Sequence, residues 1–270
     1  MIREVLSYPF FLNALLMSML LGLLFGLLSF FIIVRKMAFL GAGIAHIAFG
    51  GVALGLFLGI HPMMSALIFC VAAAVLIGRL IRTGYLNYDT GIGILFSFSM
   101  ALGVLFISAR KDYTFDLTGY LFGNILGVTR FDLILTGLIA AVFIPFILLF
   151  LQKLLFISFD EPAARVNGVP VDLLDTFLLI SLAVIIVASI RMVGIILVSA
   201  LTVLPASFGV LISKQYFWVL VGSLLFGLLT LIGGLFLAYQ IDLPAGATIV
   251  ALGTVIYLGS LGLVQFKKQT

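Results

Sequence analysis

The residues in this chain best suited to chemistry are two histidines and a cluster of acids. His46 lies in the apolar run LGAGIAHIAFGGVALG, and His61 sits in Gly59-Ile60-His61-Pro62. Neutral imidazole is a good ligand for zinc, iron and other transition metals. If a helix begins near Leu40, His46 lies about 10 Å along its axis. An ionisable side chain at that depth in an apolar segment faces a bundle interior or a water-filled path by default. On the residues alone, His46 reads first as a core histidine bonded to a neighbouring carbonyl. His61 is roughly 22 Å further along a straight helix. The two cannot share one ion within a chain, and His61 reads as loop or vestibule. Met63, Met64, Met100 and Met192 could serve a soft metal, but scattered methionines read first as packing.

The acids collect in SFDEPAARVNGVPVDLLD, from Ser158 to Asp175. Asp160 and Glu161 precede Pro162, which suits a first helical turn whose dipole favours negative charge. Ala163 to Val166 continue a short helix, and Gly168 can end it. The stretch reads either as a short amphipathic helix between two spans or as an ordinary solvated loop with a capped turn, and taken alone the loop is the stronger reading.

Other chemistries are poorly supported. The chain has no G-x-x-x-x-G-K-[ST] loop for ATP, no H-E-x-x-H and no Cys/His zinc pattern. No nucleophile stands beside a base in a recognisable motif. Cys70 is the single cysteine, so no intrachain disulfide can form, and it reads as a small buried side chain. The chain is not expected to be an enzyme.

The elements that must position these residues are membrane helices. Of 270 residues, 64% are hydrophobic and 9% charged, and the mean hydropathy is +1.39. A soluble domain carries about 25% charged residues, so the bilayer must be the main solvent. Charges divide the chain into the runs 5–34, 37–78, 90–109, 133–152, 176–190, 192–213, 215–241 and 243–266. The first run is too long for a signal-peptide core. The run 37–78 holds two helices with a turn at Gly59-Ile60-His61-Pro62. The expectation is an all-α integral membrane bundle of nine spans, or eight with one broken or re-entrant helix near Arg191.

The formal net charge of +4 matters through its placement, because Lys and Arg collect on cytoplasmic loops. An outside N-terminus puts Arg35, Lys36, Arg79, Arg82, Lys153, Arg165, Lys214, Lys267 and Lys268 in the cytoplasm. It leaves Arg3, Arg110, Lys111, Arg130 and Arg191 outside, and places the C-terminus inside. Tyr216 and Trp218 suit an interfacial aromatic belt. The segment 110–131 is then extracellular; its apolar part, from Thr118 to Val128, is expected to pack over the outer ends of the spans. Gly51, Gly55 and Gly59 recur every four residues, a spacing that lets helices approach closely, inside one subunit or across a dimer.

Five segments together resemble one family. They are LGAGIAHIAFGGVALG with the following HP, DTGIGILFSFSMALG (Asp89 to Gly103), YLFGNILGV (Tyr120 to Val128), MVGIILVSALTVLPAS (Met192 to Ser207) and DLPAG (Asp242 to Gly246). In order and over nearly the whole length, they are similar to the ABC-3 permease subunits of bacterial zinc, manganese and iron importers. The resemblance implies a single permease domain over 1–270 in the cytoplasmic membrane, working as a homodimer by alternating access. It implies two ATPase subunits on the cytoplasmic side and an extracellular or periplasmic metal-binding protein as partners. It implies no tightly bound cofactor, since the metal is cargo, and no nucleic-acid partner. Within 158–172, Asp160, Glu161, Ala164, Arg165 and Gly168 look like the family's coupling helix, which docks on the ATPase. The family's metal path carries an acid and a histidine four residues apart. Here the histidine is His46, while the acid's position is Ala42. Asp89 matches a motif position and suits either a helix cap or ion contact. The rival readings are a permease for another small solute, a gradient-driven secondary transporter and a membrane scaffold without transport of its own.

Overall fold

The computed structural model describes residues 8–109, Gly119 and 123–269, with side chains described to Phe266. Arg3, Arg110, Lys111 and most of the expected segment 110–131 lie outside the described residues, as do the side chains of Lys267 and Lys268. The described residues are almost wholly helical and contain no strand. This is what hydrocarbon demands, because a helix satisfies its own backbone hydrogen bonds.

The helices are α1 (Pro9–Val34), α2 (Ala38–Leu58), α3 (Pro62–Arg82), α4 (Tyr88–Ser108), α5 (Arg130–Phe159), α6 (Glu161–Val166), α7 (Val171–Leu201), α8 (Leu204–Ile212), α9 (Tyr216–Ile241) and α10 (Ala245–Gln269), with a 3-10 turn at Ile125–Gly127. Among the described residues, eight segments are long and apolar enough to cross a membrane, with Val171–Ile212 taken as one segment of 42 residues. That segment is broken near the doubtful boundary at Arg191, because Gly194 inside α7 has φ 74° and ψ 165°. A second interruption at 202–203 separates α7 from α8. Termini on opposite sides require this segment to cross twice; a single crossing puts both on one side.

The chain divides into two compact units. One contains residues 1–33, 118–144 and 191–270. In it, α1 lies close against α9: a Cβ on Gly26 would come within 2.9 Å of the Leu224 Cα. The Phe11 ring meets those of Phe236 and Tyr239 edge-on at 5.1 and 5.3 Å. The left-handed Gly123 lies against the break in α7, where its Cβ would fall 2.4 Å from the Gly194 nitrogen.

The other unit contains 34–117 and 145–190, and it carries both groups of candidate residues. Gly51 and Gly55 of α2 press on α3: a Cβ at Gly51 would lie 2.6 Å from the Ala66 Cα, and one at Gly55 2.9 Å from the Pro62 Cα. Gly59 instead caps α2 at φ 71°. The four-residue glycine spacing thus serves packing inside one chain. On α2's other side, Gly43 and Gly50 meet Ile92 and Ser99 of α4. Cys70 is fully buried in α3, and its thiol points at the Ile44 carbonyl, 3.7 Å away.

Candidate functional site

His46 is held by its own helix. Its Nδ1 donates to the Ala42 carbonyl oxygen at 2.8 Å, and its ring stands edge-on to Phe96 of α4 at 5.2 Å. The two readings of this residue are therefore compatible. A carbonyl can only accept, so Nδ1 carries a proton, and the tautomer that suits a metal is the one that presents the Nε2 lone pair. Backbone carbonyls orient metal-binding imidazoles in the same way. Ala42 and His46 are both half-buried and share a helix face at i, i+4. The Ala42 side chain adds no anionic ligand. Among the described residues no three His, Cys, Asp or Glu side chains are grouped to hold a metal ion. His61 is exposed and occupies the N-cap position of α3 ahead of Pro62. Asp89 is not the cap of α4; Asn87 is, its side-chain oxygen accepting from the Thr90 N–H at 2.9 Å. Asp89 sits exposed in the first turn.

The acidic stretch forms the short helix α6. Asp160 caps it, with Oδ1 accepting from the Ala163 N–H at 2.9 Å. Gly168 closes it at φ 74°, where the Val169 N–H donates to the Ala164 carbonyl at 3.1 Å. Ala164 is fully buried, whereas Val166 is 88% exposed, so the helix packs on one face and presents the other. Arg165 bridges Glu161 at 2.8 Å and forks onto both oxygens of Asp172 at 2.8 and 3.2 Å. These bonds, the Asp172 pair foremost, raise its pKa further above the ordinary arginine value.

Beside α6 the structure gathers residues that the sequence marks only as topology signals. Arg82, in the last turn of α3, reaches the Asp172 carboxylate at 3.2 Å. It also donates to the Thr176 hydroxyl and the Asp172 carbonyl at 2.5 and 2.8 Å. Arg35 pairs with Asp175 and donates to the Ser158 hydroxyl at 3.0 Å. The Tyr88 hydroxyl donates to the other Asp175 oxygen at 2.9 Å. A cleft of about 400 Å³ opens here, lined in part by Arg82, Tyr88, Glu161, Arg165, Asp172 and Asp175. Only the clustering of polar residues at 158–175 signals this site in the sequence. The partners of Asp175 stand 87 to 140 positions away, beyond any local pattern.

The described residues thus form a polytopic helical membrane bundle with a capped amphipathic helix inserted between two spans. Residues 7–263 match the model of the ABC 3 transport family. The chain is 36% identical over 256 residues to the manganese transport system membrane protein MntC of Listeria monocytogenes, covering 95% of this chain and 91% of that one. It is 33% identical to the manganese import system permease protein ScaB of Streptococcus gordonii, covering 96% and 93%. Its fold matches a solved structure of PsaBC from Streptococcus pneumoniae in complex with Fab, with a TM-score of 0.81, 33% identity and coverage of 96% and 95%. The chain belongs to the ABC 3 transport family.

Proposed function

We propose that this permease imports a divalent transition-metal ion, driven by ATP hydrolysis on separate subunits, with manganese the first cargo to test. The carrying observation is similarity over almost the whole chain to proteins named as manganese permeases. A homodimer receives the ion from an external binding protein and passes it by alternating access. The side bearing α6 is cytoplasmic and the N-terminus is outside. Asp160, Glu161, Ala164, Arg165 and Gly168 form the surface that the ATPase engages. His46 contributes Nε2 as a transient ligand, one imidazole per subunit. A transport site must accept the ion and also release it, and a single neutral ligand favours release. With Ala42 in place of an acid, carbonyls and waters offset the rest of the ion's dehydration.

The test is uptake of labelled manganese, zinc and iron by metal-starved cells carrying the permease with its ATPase and binding protein. ATP-dependent uptake of one metal that falls in His46→Ala at equal expression supports the reading. Uptake unchanged in His46→Ala removes that residue from the path. Uptake of none of the three returns the chain to the reading of a permease for another small solute.

A further inference from the structure

Helix ends far apart in sequence meet at one buried ion pair, and none of its residues belongs to the cargo or coupling sets above. Arg35 lies in the turn between α1 and α2, Tyr88 opens α4, Ser158 closes α5, and Asp175 lies just past the first turn of α7. The Arg35 and Asp175 side chains are only 6% and 13% exposed.

Stability alone is a poor account of this arrangement. Desolvating two charges consumes most of what their attraction returns, and apolar residues of similar volume do as well. What a hydrogen-bonded ion pair adds is directional contact that can fix the register between helix ends. The Arg35 fork sets that register, with one arm on Asp175 and Nε on Ser158. Its Nη2 is buried without a partner among the described residues, so the fork retains a spare donor for a second arrangement.

The pair also stands next to α6 in the network. Asp175 is one turn along α7 from Asp172, which holds Arg165 of α6 and Arg82 of α3. A shift of α6 pulls on the first turn of α7 through Asp172. Asp175, just past that turn, joins it to Arg35, in the turn before the helix α2 that carries His46, and to Tyr88 of α4, whose Phe96 packs against that ring. We infer that the Arg35–Asp175 pair, with Tyr88 and Ser158, is the positioning strut that transmits movement of α6 to the helices flanking His46. This rests on the proposed role of α6 as the coupling helix.

The test uses the complete importer in proteoliposomes, reading three quantities: co-purification of the ATPase, ATP turnover, and labelled metal imported per ATP. Tyr88→Phe removes one hydroxyl and keeps the ring. Asp175→Asn keeps the shape and removes the charge. The expected result is retained ATPase binding and turnover, with metal per ATP lowered by roughly threefold in Tyr88→Phe. In Asp175→Asn the fall is at least roughly fivefold, within the range of coupling free energies between sites. If Asp175→Asn fails to assemble, Tyr88→Phe decides alone. Metal per ATP equal to wild type in an assembled variant overturns the strut, as does a loss of ATP turnover and uptake in equal proportion. A wild-type complex that hydrolyses ATP without importing metal refutes the proposed function itself, a result distinct from either.

Discussion

The contact of Gly43 on α2 with Ile92 on α4 makes a demanding prediction. A methyl added at Gly43 would lie 2.1 Å from the Ile92 Cγ2, while the Ile92 Cβ stays at an ordinary 3.6 Å. Carbon atoms settle at about 3.5–4.0 Å, so the overlap is roughly 1.5 Å. Ile92 is fully buried, and as a β-branched residue in a helix it has one strongly preferred rotamer. Gly43→Ala should therefore cost about 1–3 kcal/mol, as overpacked cores do. Ile92→Ala alone should cost about 2–5 kcal/mol through the cavity it leaves. Combined, the new methyl enters the space vacated by Cγ2, and the double variant should be no less stable than Ile92→Ala. That is a favourable coupling of about 1–3 kcal/mol between the two sites. The assay is the thermal midpoint of purified, detergent-solubilised wild type, both single variants and the double. Strictly additive losses would refute the packing geometry. Gly43 adjoins Ala42 on the turn before His46, so metal uptake should fall in Gly43→Ala and recover in part in the double variant.

Gly194→Ala places a side chain at φ 74°, ψ 165°, a region open essentially to glycine. It should cost about 1–3 kcal/mol and lower the thermal midpoint; an unchanged midpoint would argue against the break in α7. Asp160→Ala removes the cap of α6 and should cost about 1 kcal/mol, loosening ATPase association in a pull-down while membrane insertion persists. Asp160→Asn, which still caps, should restore association, and equal loss in both variants would mean that the charge matters rather than the cap.

The local features of this protein are legible in its amino-acid sequence. Charged residues cannot sit unpaired in hydrocarbon, so the gaps between charges mark the helices. Capping acts over three or four residues, so Asp160, Pro162 and Gly168 together announce α6, and the turn at Gly59-Ile60-His61-Pro62 announces the division of α2 from α3. At α4 the same logic points to the wrong residue, because Asn87 stands two positions before Asp89 and caps equally well. The family, too, is carried by short segments that need no tertiary contact to be read.

What the tertiary structure alone decided is pairing. In a bilayer the lipid-facing and protein-facing sides of a helix are both apolar, so periodicity does not say which side packs. The sequence could offer Gly51 and Gly55 to a dimer or to the chain itself, and only the folded chain sets them against α3. It could count Arg35, Arg82 and Arg165 as charges on one side, but not join them to Asp175 and Asp172. It could offer eight spans or nine, and the left-handed Gly194 located the break within the disputed segment. Composition and local chemistry determined what kind of protein this is and where its helices run. The meeting of distant helix ends at Asp172 and Asp175 depended on long-range packing, which leaves no local trace because each partner reads by itself as an ordinary charge at the end of a span.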